Sequence, residues 1–192
     1  LESESGDELE AVDEELDTDV LSKLKEKMAK KSQNKREEGD DMEVVTRRSV
    51  SIEFAVIGVG QAGSRLAEVF YKKGYDAGVI NTSAQDLEYI NVPQHQKLLL
   101  EGSLGGTGKD LDLGREIFAE STDLLGPFLD GVVDGNNMVY LTVSGGGGTG
   151  SSCVDTVIPM LFETGLPVGV IYVLPKATED AQSKRNSIET LS

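Results

Sequence analysis

The chain of 192 residues has no tryptophan, one cysteine, one histidine and five prolines, and only 5% of it is aromatic. A lone Cys153 excludes an internal disulfide framework, and a lone His95 cannot by itself build a zinc site. No apolar run approaches the roughly 18 residues that a membrane span requires, so no span is expected and a reducing, cytoplasmic setting is. Basic residues are also scarce: 18 Lys and Arg stand against 34 Asp and Glu, a formal charge of −16. That field repels a nucleic-acid backbone, so nucleic acid is not expected as a partner, and any phosphate ligand must be gripped locally. The first residue is Leu, and the closing KRNSIETLS stops inside helical spacing, so a fragment of a longer protein is expected.

What is present is unevenly arranged. Residues 1–50 hold 16 acidic and 9 basic side chains and residues 51–192 hold 18 and 9, giving −7 and −9. Residues 1–19 carry ten acids and no base, residues 23–36 carry seven Lys or Arg, and aromatics are absent before Phe54. Such a composition cannot bury a core, so residues 1–50 are expected as a disordered, charge-segregated tail. Within it Asp19 can cap a short helix over 20–31, with Val20, Leu21, Leu24 and Met28 on one face and lysines around the rest. A frayed, solvated helix is the plain expectation, and adaptor or membrane-surface docking through it is the sharper one.

From Ile52 the pattern changes to short apolar runs, 52–57, 77–80, 97–100, 138–143 and 168–174, whose near-continuous apolarity implies burial on both faces. Helical spacing fills 65–73, 113–129 and 151–164 between them. Strand and helix thus alternate as in a doubly wound parallel α/β sheet, whose ligand edge is formed by the loops that follow the strands.

Three glycine loops fall on that edge. The first strand runs into Gly58-Val59-Gly60-Gln61-Ala62-Gly63, a GxGxxG that brings backbone N–H groups and a helix N-terminus up to a pyrophosphate. A dinucleotide fold wants an acid at the end of the second strand, where this chain has Asn81-Thr82-Ser83-Ala84. An NAD- or FAD-binding oxidoreductase domain therefore stays only as the alternative. The third loop, Ser144 to Ser152, has five glycines in the six positions 145–150, an entropic cost best explained by close approach of backbone to a ligand. Between these lies Gly105-Gly106-Thr107-Gly108-Lys109-Asp110, which fails as a Walker motif because Ser103 stands at the first glycine position and Asp110 replaces the Ser or Thr. Its amides and the Lys109 ammonium remain suited to a terminal phosphate.

Together, GQAG at 60–63, NTSAQDL at 81–87, GGTGKDLDLGR at 105–115 and GGGGTGSS at 145–152 resemble the tubulin/FtsZ superfamily of polymerising GTPases over about residues 52–192. The resemblance implies a Rossmann-like GTP-binding domain over 51–192, cut before the family's central helix, with GTP or GDP and Mg2+ as cofactors. It implies a head-to-tail filament of like subunits, in which a neighbour supplies the hydrolytic acids, so no catalytic residue is expected within this chain. Position by position, Gly60, Gln61, Ala62, Gly63 and Arg65 fall under the α- and β-phosphates, and Asn81 with Ala84 falls near the magnesium side. Gly106, Thr107, Gly108 and Lys109 fall at the γ-phosphate, Gly145, Gly146, Gly147, Gly148, Thr149 and Gly150 form the signature loop, and Glu179 and Arg185 fall at the ribose. Ser64-Arg65, Ser83 and Lys109-Asp110-Leu111 depart from the division-protein pattern, which points toward plasmid- or phage-type members such as TubZ. The Glu179 to Arg185 spacing is also longer than that pattern.

The remaining chemistry-bearing residues read plainly. His95 is expected as a solvated loop imidazole, Cys153 as a small buried group, and Asp155 and Asp180 as helix-start acids. Because the tail is too polar to pack on the domain, its deletion is expected to leave GTP affinity within about threefold, roughly 0.7 kcal/mol. Nucleotide titration of the shortened and entire proteins checks this, and a tenfold loss shows that the tail reaches the site.

Overall fold

The computed structural model describes residues 52–102 and 105–192; the acidic tail, with its expected helix over 20–31, lies outside the described residues. Five strands form one sheet: β1 (Ala55–Val59), β2 (Asp76–Asn81), β3 (Lys97–Leu99), β4 (Val139–Ser144) and β5 (Val168–Val173). All four pairings are parallel and the order is β3-β2-β1-β4-β5. The helices between them are α1 (Gly60–Tyr71), α2 (Ala84–Glu88), α3 (Leu111–Glu120), α4 (Thr122–Val133), α5 (Thr149–Ser152), α6 (Val154–Glu163) and, after β5, α7 (Ala181–Thr190). A doubly wound α/β sheet is thus the architecture, as the alternation of apolar runs implies.

The period of two along each strand divides the core between the sheet's faces. Ala55, Ile57 and Val59 of β1 join Val139, Leu141 and Val143 of β4 on one face, under Phe118, Leu125, Leu129 and Leu161 from the helices. Val56, Ala77 and Val79 point the other way, to Ala67 of α1 and to Leu87, Ile90 and Val92. Burial on both faces holds for β1, β2 and most of β4, all central. It does not hold for β5, an edge strand in which Val170 and Val173 are exposed.

The single helix expected over 113–129 is two. Ser121 leaves helical geometry (φ −102°, ψ 13°), ends α3 and begins α4, and its carbonyl accepts from Leu124 and Leu125. Pro127 lies in the second turn of α4, where it cannot donate to the turn before it. The break lets Phe118 and Leu125 both enter the same core, where each is fully buried.

Helix α1 lies unusually close to the sheet. A β-carbon on Gly63 would sit 2.2 Å from the carbonyl oxygen of Thr142, and one on Gly58 would sit 2.5 Å from the carbonyl oxygen of Gly63. The gap is closed by the Thr142 hydroxyl, which donates to the Gly63 carbonyl at 3.0 Å. These two glycines of the GxGxxG therefore serve the join between helix and sheet. Gly63→Ala is expected to cost about 1–3 kcal/mol of stability by overpacking, read by urea denaturation. An unchanged midpoint would show that α1 can be held farther from β4.

Candidate functional site

Strands β2, β1 and β4 lie side by side, so the loops leaving their carboxyl ends converge where the chain switches direction across the sheet, the position at which open α/β sheets form ligand crevices. A cleft of about 360 Å3 opens there. It is lined by Gly60, Gln61 and Ala62 after β1, Asn81 at the end of β2, Gly106 to Lys109 after β3, Gly146 to Gly150 after β4, and Glu179 before α7. All three glycine loops thus share one cavity.

Hydrogen-bond accounting at the cleft is incomplete in an informative way. Helices α2, α3 and α7 are capped by Ser83, Asp110 and Asp180, whose side chains accept from the amides of Asp86, Leu113 and Ser183. The ends of α1 and α5, which open onto the cleft, have Val59 and Gly148 at the cap and no side-chain acceptor. Their first-turn N–H groups thus receive no cap side chain and, with the partial positive charge of a helix start, lie at the cavity. Asn81 is 2% exposed, and its Oδ1 accepts from the amides of Thr82 at 2.8 Å and Ser83 at 3.2 Å. Its Nδ2 is buried with no partner. A buried donor left this way costs free energy until an acceptor, from water or a ligand, reaches it.

The loops are tied together by hydroxyls. Thr149 Oγ1 lies 2.8 Å from Thr82 Oγ1 and 3.1 Å from Thr107 Oγ1, joining the loops after β2, β3 and β4 at one atom. Gly60, at φ +71°, starts α1 directly at the strand end, and a β-carbon on it would lie 3.0 Å from the amide nitrogen of Gly150. Along the third wall, Asn186 of α7 donates to the carbonyls of Lys109 at 2.9 Å and Gly147 at 3.4 Å. Lys109 is ion-paired with Asp180. That bond and the Ser183 amide hold the Asp180 carboxyl well below the usual carboxylate range.

Five of the expected contact residues lie outside this cavity. Gly63 packs under Thr142, and Gly145 is buried where a β-carbon would strike the Tyr172 hydroxyl. Ala84 borders a separate hollow with Leu99 and Leu100, Arg65 is exposed on α1, and Arg185 is exposed and donates to Gln182. In place of Arg185, α7 turns Ser183, Asn186 and Ser187 inward, all buried. The cap at Asp180 fixes this phase, since residues three, six and seven beyond it share a face. Ser83, Asp86, Gly105 and Ser144, which lie in the glycine loops and the 81–87 motif, also line the cleft, as does Ser183, which lies in none of them. His95 is exposed in a short 3-10 turn, while Cys153 is fully buried, its thiol pushed up by burial and donating to the Gly150 carbonyl. The described residues hold no group of three or more His, Cys, Asp or Glu placed for a metal ion.

Comparison with known proteins agrees with this fold. The family described as "Tubulin/FtsZ family, GTPase domain" matches residues 53–192. The tubulin-like protein TubZ of Bacillus cereus is 26% identical over 168 residues, covering 78% of this chain and 39% of TubZ. The tubulin-like protein CetZ of Pyrococcus abyssi is 34% identical over 114 residues, covering 56% of this chain and 31% of CetZ. Among solved structures, a GTPγS-bound protofilament of CetZ2 from Haloferax volcanii superposes with TM-score 0.65 at 27% identity, over 73% of this chain and 45% of that one. The chain thus spans less than half the length of these relatives. The likeness thus extends to both TubZ and CetZ members of the family.

Two adjacent glycines of the third loop separate packing from ligand space. A β-carbon on Gly147 meets nothing within 4 Å, whereas one on Gly148 would lie 2.3 Å from Thr107 Oγ1 and 3.2 Å from the Asp110 amide. Gly148 is therefore closed by the protein's own threonine before any ligand arrives. Gly147→Ala is expected to leave unfolding free energy within about 0.5 kcal/mol, and Gly148→Ala to lower it by about 1–3 kcal/mol. Denaturant titration of both variants checks this, and equal losses would show that the loop is packed uniformly.

Proposed function

The chain belongs to the tubulin/FtsZ family, and on that premise we propose that it is the nucleotide-binding part of a GTPase subunit that assembles head to tail into filaments. The observation that carries this reading is the pair of uncapped helix ends, α1 and α5, meeting an unpartnered Asn81 amide in one cleft. Two positive ends and a shared set of backbone amides suit a di- or triphosphate, and they do so in a chain of net charge −16 because the dipoles act only at short range.

Residue roles follow from position. Amides of Gly60 to Ala62 and of Gly146 to Gly150 cradle the inner phosphates, with Asn81 donating alongside. Gly106, Thr107, Gly108 and Lys109 face the terminal phosphate, and Glu179 at the far wall faces the sugar. Gly63 and Gly145 act beneath the cradle by letting its supports approach, and Arg65, Ala84 and Arg185 act only if the loops move. Magnesium fits as a companion of the phosphates, its coordination completed largely by phosphate and water oxygens, since the cleft offers the carboxylates Asp86 and Glu179 but no protein cage. When bound, it neutralises charge on the outer phosphates. We infer, as the family resemblance implies, that the acids that activate water come from a neighbouring subunit. The protein works in the cytoplasm, and the charged tail serves adaptors rather than the cleft.

Displacement of fluorescent GTP tests this directly. GTP and GDP are expected to compete and NADH is not, while Gly147→Val is expected to cut GTP affinity at least tenfold, about 1.4 kcal/mol or more, with far-UV circular dichroism unchanged. Displacement by NADH alone would restore the oxidoreductase alternative, and unchanged GTP affinity in the Val variant would show that the glycine loop does not touch the nucleotide.

A further inference from the structure

The ion pair between Lys109 and Asp180 bridges two walls of the cleft. Lys109 lines it from the loop after β3, and Asp180 sits between Glu179 and Ser183, which line it from the start of α7. The backbone of Lys109 is anchored, because its carbonyl accepts from Asn186. Its side chain is 44% exposed and that of Asp180 54%, so water screens the pair and its breaking costs little. Asp180 has a second occupation that needs no lysine: its carboxylate accepts from the Ser183 amide at 3.0 Å and from the Ser183 hydroxyl at 3.2 Å. The ammonium can therefore swing away on its four-carbon stem while the loop, the cap and α7 stay in place.

We propose that Lys109 exchanges Asp180 for the terminal phosphate of a nucleoside triphosphate, so that the pair is a latch read by the third phosphate and left closed by a diphosphate. This rests on the nucleotide reading above and adds to it a specificity-determining residue and its competitor. A terminal phosphate carries up to two negative charges and several acceptor oxygens, against the one charge of a carboxylate already satisfied by Ser183, and so outcompetes it when within reach. A diphosphate ends a phosphate short and leaves the ammonium where it is. The cation thus reports the presence of the third phosphate to the start of α7 by leaving it. The other charged side chain lining that wall, Glu179, has one carboxylate oxygen taken by the Lys176 amide, and Asp110 is engaged in capping α3.

The test uses GTPγS and GDP on wild type, Lys109→Gln, Asp180→Asn and the double variant. Asparagine keeps the helix cap while removing the charge, so Asp180→Asn frees Lys109 without unravelling α7. The preference for GTPγS over GDP is expected to rise at least threefold in Asp180→Asn and to fall about tenfold in Lys109→Gln. In the Lys109→Gln background, adding Asp180→Asn is expected to change the preference by less than twofold. An equal rise with and without Lys109 would show simple repulsion between Asp180 and the ligand, and would overturn the exchange. A second readout is independent of affinity: the carboxyl carbon of Asp180, followed by NMR, is expected to titrate lower in wild type than in Lys109→Gln. GTPγS is expected to move it upward in wild type and GDP to leave it. If wild type binds neither nucleotide while Asp180 still responds to Lys109→Gln, the guanine-nucleotide reading fails and the exchange with it. If both nucleotides bind and the variants leave the preference unchanged, the exchange alone fails.

Discussion

The Thr149 hydroxyl holds the cleft together. It lies within hydrogen-bond distance of both Thr82 and Thr107, so the segments following β2, β3 and β4 are tied to one another through a side chain at the start of α5. A hydroxyl suits this because it donates once and accepts twice, which lets one oxygen serve two neighbours without a charge. Sheet, helices and glycines deliver that oxygen to its place. The parallel order puts β4 beside β1, Gly60 and Gly150 let two loops touch backbone to backbone, and Gly148 makes room for Thr107.

The glycines divide by what fills the space a β-carbon would take. At Gly58, Gly63, Gly145 and Gly148 that space is already occupied by the protein within 2.5 Å, so their smallness serves packing. At Gly147 and Gly108 it is empty, so their smallness keeps a volume free. The run of four glycines at 145–148 therefore mixes packed and open positions, and substitution of neighbours within it has unlike consequences.

Much of the fold was legible because the apolar runs are short, separated and rich in β-branched residues, and all five appear as strands within a few residues of their expected ends. The exposure of β5 was not legible, since the run 168–174 looks as buried as 138–143 until the strand order makes it an edge. The division of 113–129 at Ser121 was hidden because the apolar spacing continues through it. At the cleft, the glycine motifs name the loops but not which members face inward. Arg185 and Asn186 are adjacent, and only the cap at Asp180 decides that Asn186 enters and Arg185 leaves. Ser183 lies in no quoted motif, and its place in the lining depends on where α7 begins.

The uncapped ends of α1 and α5 and the unsatisfied Asn81 amide amount to a debt of solvation left open in the folded chain. Whatever anion settles it binds the native state and not the unfolded one, so the fold's own persistence becomes tied to ligand supply. At a free ligand concentration a hundred times its dissociation constant, that linkage adds about 2.7 kcal/mol to stability, a large share of what a domain of this size possesses. Starvation for the ligand would then thin the population of intact protein as well as empty its cleft. Turnover by proteases, which act on the opened chain, would follow the same supply, making abundance itself a record of how much ligand the surroundings held.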